Sequence, residues 1–203
     1  MLKNKLLNLD IAIGIAIFML FISAILSFSF LLIGDETFSI ETMFLLTRIV
    51  IVASCILTFW LYGYVFNETF NYLKIVGSLF NASGIVSLAI GILFILMLIR
   101  QHPQSATSML FIVGFFLTSV SEEFLFRGLV EFQLSKSFKP YQTILLQAFI
   151  FAFIGHQSFD MEINLLIRFP LGIILSVLRR KTQSYMPPIM LHFVYDTVMD
   201  VGA

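Results

Sequence analysis

Charge is what this chain has least of. Only 12% of its 203 residues are Asp, Glu, Lys or Arg, about half the share a soluble domain carries. A water-exposed surface cannot be built from so few. A soluble enzyme, a disordered chain and a nucleic-acid binder are thereby set aside. The 12 basic residues cancel the 12 acidic ones, so net charge points to no partner. Cysteine is nearly absent as well. The single Cys55 lies in an apolar run, which excludes a disulfide framework and a thiolate metal cluster. There is no internal repeat, no low-complexity tract and no linker long enough to divide the chain. What remains is abundant apolar bulk: 59% hydrophobic residues, 24 of the 203 being Phe, and a mean hydropathy of +0.99.

Such a composition describes a polytopic membrane protein. A spanning helix needs roughly 20 apolar residues. Runs that approach this length cover 11–33, 42–66, 75–99, 108–132, 141–159 and 163–178, with a short seventh at 187–199. The first run is too long for a signal-peptide core and has no cleavage pattern behind it, so it reads as a retained helix. The third is weak over its first third, which suggests a surface-lying piece before the true span. SEEFLFR interrupts the fourth. Lys3, Lys5, Lys74, Lys136, Lys139, Arg179, Arg180 and Lys181 fall in alternate loops. Asp35, Glu36, Glu41, Asp160 and Glu162 fall in the others, with Arg100 the one exception. Basic residues collect on the cytoplasmic side. The expected fold is therefore all-α: a transmembrane bundle of about seven spans with the N-terminus cytoplasmic, or six if the third or seventh does not cross. One membrane domain over 1–203 is the simplest organisation, and the second half holds most of the acid–base chemistry.

Charges inside spans are costly and usually face a bundle interior or a water-filled cavity. Three clusters meet this description. In the first, Glu123 and Arg127 are four residues apart and share a helix face, whereas Glu122 is turned about 100° away. The reading is a catalytic Glu122 beside a structural Glu123–Arg127 brace; the plainer reading is a packing ion pair with a spare acid. The second is His156-Gln157 after Gly155, placed in the fifth span. The third starts at Pro187-Pro188, which suit a helix start, and carries His192 and Asp196 on one face. There Asp196 would fix the His192 tautomer, or the pair would merely tether two helices. Arg48 and Arg168 read as snorkelling or inter-helix pairing residues, with Arg168 a lesser candidate for an anionic group. His102 reads as exposed, and Trp60, Tyr62 and Tyr64 as interfacial anchors.

A Glu, two His and an Asp from separate helices suit peptide hydrolysis. A carboxylate and a His can hold and deprotonate a water, and a second His can donate to the oxyanion. No Ser or Cys stands in a nucleophile setting, and the absence of HExxH excludes a zincin. Glu122, His156 and His192 are also the types that hold zinc with a water in the fourth position. On the residues alone, both a metal-activated and a Glu/His-activated water stay open. A non-catalytic membrane immunity or regulatory protein, keeping the polar residues for packing, is the alternative. A proton-coupled transporter is weaker, because the two halves lack matched polar interruptions.

The three clusters, in this order, resemble the CAAX-protease and bacteriocin-processing (CPBP, Abi) intramembrane peptidase family over about 108–198. Its EExxxR motif corresponds to Glu122-Glu123-Phe-Leu-Phe-Arg127, and its HxxxN/D motif to His192–Asp196. Its FxxxH motif meets Ala152 four residues before His156, with Phe151 and Phe153 on either side. The resemblance implies an intramembrane endopeptidase acting on a small or lipid-modified peptide, in membrane lipid and without nucleic acid, with the bacterial cytoplasmic membrane the expected location. It implies that Glu122 and His156 activate the water, that His192 and Asp196 bind the oxyanion, and that Glu123 and Arg127 support the first helix. A metal-free glutamate mechanism is preferred over zinc. Asp196 in place of Asn lacks an amide donor, so it must be protonated or act through His192.

Overall fold

A computed structural model describes residues 2–34, 38–70, 72–101, 109–156 and 160–201. Asp35, Glu36, His102, Pro103, Ser108, Gln157 and Phe159, and the side chain of Lys74, lie outside what it describes. All regular structure among the described residues is helical: α1 (Leu2–Gly34), α2 (Ile40–Phe66), α3 (Tyr72–Leu79), α4 (Ala82–Gln101), α5 (Met109–Ser135), α6 (Pro140–Phe153), α7 (Met161–Thr182) and α8 (Met186–Val201). Four stretches among the described residues are long and apolar enough to cross a membrane: Lys3–Ser29, Ile40–Phe66, Met109–Ser135 and Met161–Thr182. Ala82–Met97 and Pro140–Phe153 are shorter apolar helices. The molecule is an integral, multi-pass helical membrane protein.

Local chemistry sets the helix ends. Ser39 caps α2 by accepting from the Thr42 N–H at 3.2 Å. Asn67 closes it in the left-handed region at φ 52°, which Asn tolerates better than most residues. Pro140 opens α6, where its missing N–H costs no helical bond. Pro187 and Pro188 likewise occupy the first turn of α8. The weak start of the third apolar run is a separate short helix, α3, before the longer α4. SEEFLFR does not break α5. The helix instead widens into a π-helical stretch, Phe124–Val130, where the Glu131 N–H reaches back five residues to the Phe126 carbonyl. A second wide stretch, Asn164–Arg168, lies in α7, with the Phe169 N–H bonded to the Asn164 carbonyl. Such widened turns appear often at functional sites.

α5 lies at the centre. It packs against α1, α2, α6 and α8; α7 packs on α6, and α4 on α8. One apolar core joins α1, α2, α5 and α6 through Met19, Phe59, Leu125, Phe126, Leu129 and Phe151. A smaller one joins α4 to α8 through Ile95, Met190 and Phe193. Large apolar side chains such as Phe21, Ile56 and Leu93 point outward, as lipid allows and water does not.

One end of the bundle is stitched by polar groups. Gln133 accepts from the Tyr62 hydroxyl and donates to Asn8 Oδ1 at 2.7 Å. Lys136 donates to the Tyr62 hydroxyl at 3.0 Å and to Glu68 at 2.5 Å. Burial works against the Lys136 charge, but bonds to Glu68 and Tyr62 outweigh it and hold its pKa above the ordinary lysine value. Tyr62 is thus a buried network member and not the interfacial anchor its sequence position suggested. Trp60 and Tyr64 are exposed and stacked at 5.9 Å.

Gly172 tests the packing of α7 on α6. A Cβ there would lie 3.1 Å from both Ala148 Cα and Cβ and 3.2 Å from Phe151 Cδ1. Gly172→Val should force the helices apart and cost about 1–3 kcal/mol, seen as a lower Tm of the detergent-solubilised protein. Gly14→Ala, where nothing lies within 4 Å, should leave Tm unchanged.

Candidate active site

The ionisable residues of α5 and α8 meet in the protein interior. Glu123 and Arg127 pair at 2.9 Å, both side chains fully buried. The Arg127 guanidinium also donates to the Gly172 carbonyl at 3.3 Å and lies over the Phe151 ring, 4.7 Å from its centroid. The same Glu123 oxygen accepts from His192 Nδ1 at 2.9 Å. Glu123 therefore does more than brace its own helix: it locks α8 to α5 and fixes the His192 ring. That task was expected of Asp196. Asp196 Oδ2 instead lies 3.6 Å from His192 Nε2, on the opposite edge of the ring and beyond hydrogen-bond reach.

Glu122 occupies the next position along α5 and points into a different environment. Its Oε2 lies 3.7 Å from His156 Nε2 and 3.7 Å from His192 Nε2. That oxygen is buried without a hydrogen-bond partner. The structure thus brings Glu122, His156, His192 and Asp196 together, with Glu123 and Arg127 behind them.

His156 lies three residues past the end of α6, in a turn and not within the fifth span as expected. The turn is wide: the Gly155 N–H bonds to the Ile150 carbonyl, five residues back. A Cβ on Gly155 would meet the Phe151 carbonyl at 2.7 Å and the Phe126 ring at 2.8 Å, so glycine is required there. His156 Nδ1 lies 2.9 Å from the Phe151 carbonyl, which can only accept, so Nδ1 carries a proton and Nε2 faces Glu122. Phe151 also packs edge-on against both imidazoles, at 4.7 Å from His156 and 5.6 Å from His192. The extra residue between Phe151 and His156, compared with FxxxH, is absorbed by the wide turn.

Asn164 escaped the sequence reading. It is buried at the start of the wide stretch in α7, and its amide donates to the His156 carbonyl at 3.0 Å. An amide side chain in the apolar run INLLI was the available signal. Arg168 donates to Asn164 Oδ1 at 3.4 Å, and its charge acts on Asp196 and Glu122. Arg48, stacked 4.5 Å from the Phe44 ring centroid, acts on the same two carboxylates from α2. The bland pairing roles assigned to these arginines thus have acidic counterparts in the site.

The two 3.7 Å separations around Glu122 Oε2 are wider than those a bound zinc would set. Bonds of about 2.05 Å in a tetrahedron would set neighbouring ligand atoms about 3.3 Å apart, closer than the separations found around Glu122 Oε2. Among the described residues no group of three or more His, Cys, Asp or Glu is placed to hold a metal ion.

Within this helical membrane bundle a carboxylate faces two imidazoles, backed by a buried Arg–Glu–His chain. Residues 103–198 match the family model described as Type II CAAX prenyl endopeptidase Rce1-like, and this second half of the chain is a protease domain of that family. Comparisons with curated proteins and with solved structures returned no match.

The buried chain is testable by stability. Arg127→Met should leave the Glu123 charge without its main partner and cost about 3–5 kcal/mol. The double change Glu123→Gln with Arg127→Met should recover part of that loss. Denaturation of the purified variants in detergent measures both.

Proposed function

We propose that this chain is an intramembrane endopeptidase in which Glu122 and His156 activate the attacking water. The observation that carries this reading is the placement of Glu122 Oε2 at 3.7 Å from each of two imidazole Nε2 atoms. The gap is too long for direct hydrogen bonds. A water at about 2.8 Å from Glu122 Oε2 would bridge each 3.7 Å gap between that oxygen and an imidazole nitrogen.

The two imidazoles differ in what holds them. His156 Nδ1 donates to a neutral carbonyl, which leaves Nε2 as a proton acceptor. His192 Nδ1 faces the Glu123 carboxylate, an anion that can balance a ring protonated on both nitrogens. His192 Nε2–H is then a donor toward developing negative charge. In the reaction, Glu122 takes a proton from water with His156 as second acceptor. The hydroxide oxygen bonds to the scissile carbonyl carbon and the C=O π pair moves to oxygen. His192 stabilises that oxyanion. Collapse breaks the C–N bond, and the proton held by Glu122 passes to the departing amine nitrogen. Asp196 Oδ2 lies 3.6 Å from His192 Nε2, so its charge acts on that ring without a hydrogen bond. Glu123 and Arg127 are positioning residues, as is Asn164.

The substrate class proposed is a small or lipid-modified peptide entering from the membrane, with 108–198 as the peptidase core of a single membrane domain over 1–203. The topology proposed is seven crossings with a cytoplasmic N-terminus. Its support is the convergence of basic residues on one end: Lys5 lies 5.7 Å from the Phe138 ring centroid, and Arg180 pairs with Glu131 at 2.5 Å near the end of α5.

Glu122→Gln keeps size and hydrogen bonding but removes the base. Turnover of a fluorogenic lipidated peptide by the purified variant should fall by about 10²–10⁴, with helical content by circular dichroism unchanged. Turnover at the wild-type rate would remove Glu122 from the mechanism.

A further inference from the structure

At the polar end of the bundle, on the far side of Arg127 from the Glu/His site, is a cavity of about 650 Å³ bordered by the ends of α5 and α7 and by α3. Its charged lining is Arg127, Arg179 and Arg180 against one carboxylate, Glu131. Arg127 is balanced from behind by Glu123, and Arg180 pairs with Glu131. Among the described residues no carboxylate pairs with Arg179. It stacks on Tyr185, 4.0 Å from the ring centroid. Arg179 Nε is buried without a hydrogen-bond acceptor, and so is Arg127 Nε. Leaving such donors unmade is expensive. An anion with several oxygens would satisfy them, and Arg is the side chain best suited to phosphate.

The cavity is only half of the feature. Beyond Phe59 and Ile75, which line both spaces, a second groove of about 520 Å³ runs along α2, α3 and α5 between Ile56, Trp60, Val76 and Phe124. This groove is almost wholly apolar in its lining, and Ile56, Trp60 and Val76 are open to lipid. A cationic chamber that shares the walls Phe59 and Ile75 with an outward-facing hydrocarbon slot has the polarity of one amphiphile. Basic pockets between membrane helices bind anionic lipid head groups in just this setting.

We propose that this paired cavity and groove is a binding site for an anionic phospholipid of the surrounding membrane. The phosphate sits against Arg179 and Arg180, and one acyl chain lies along the groove past Phe59. The site belongs to the protein whether or not Glu122 is a catalytic base.

Native mass spectrometry of the delipidated full-length protein in detergent tests it. Phosphatidylglycerol should bind as one high-occupancy adduct. Diacylglycerol with the same chains, which lacks the phosphate, and inorganic phosphate, which lacks the chains, should each bind at least about tenfold more weakly. Arg179→Gln should weaken phosphatidylglycerol by about tenfold, the loss of one charge-assisted bond. Lys181→Gln removes the same charge from an exposed side chain that does not line the cavity; it should change nothing. Equal binding of diacylglycerol and phosphatidylglycerol would reduce the site to a greasy surface and overturn the proposal. Inorganic phosphate binding as tightly as the lipid would overturn the amphiphile reading. A prenylated peptide that binds with Arg179 dependence while phosphatidylglycerol does not would reassign the cavity to substrate. Should Arg179→Gln not fold, the three ligands on the wild-type protein still decide.

Discussion

A carboxylate with no access to water holds this protein's working half together. Glu123 sits in the interior of a membrane protein, where an unpaired charge is not tolerated. One of its oxygens accepts both the Arg127 guanidinium, one turn along α5, and His192 Nδ1 from α8. Arg127 in turn reaches the Gly172 carbonyl of α7. One anion thus ties three helices into a fixed relation. In water such an arrangement would compete with solvation; in hydrocarbon the groups have few alternatives, which makes the register of α5 against α8 specific. The position of Glu122 depends on this, because its neighbour in sequence is immobilised.

The widened turns explain how residues at awkward spacings reach the same point. In α5 the π-helical stretch starts directly after the two glutamates, and Arg127 sits inside it. In α7 a second such stretch carries Asn164 and Arg168 to the back of His156. The turn at Gly155 does the same for His156 itself. Each is a local departure from 3.6 residues per turn, and each lies against the site.

Much of this was legible in the sequence. The low charge content and the apolar runs define a helical membrane protein, and the structure has a helix within each of them. Glu122, Glu123, Arg127, His156, His192 and Asp196 stand out because ionisable residues are rare in such runs. The weak start of the third run became α3. What could not be read is the partnering. Spacing of four suggested that His192 belongs with Asp196, yet the closer contact comes from Glu123, 69 residues away. Helical periodicity can place two side chains on one face, but it cannot say which nitrogen of a ring turns toward which neighbour. It also cannot foresee a turn that ends a helix early, and so it placed His156 inside α6. Asn164 and the buried Tyr62 escaped for a related reason: their partners come from distant parts of the chain, and an amide or a phenol in an apolar run carries no charge to draw notice.

Both imidazoles have their Nδ1 atoms committed to groups of the scaffold, the Phe151 carbonyl for one and Glu123 for the other. A half-turn of either ring would forfeit that bond and present carbon where nitrogen now faces Glu122. Neither ring can exchange roles with the other, since one is anchored on a neutral dipole and the other on an anion. The two histidines are chemically identical side chains made inequivalent by their anchors, one on the backbone and one on α5, and that difference does not await a ligand to impose it.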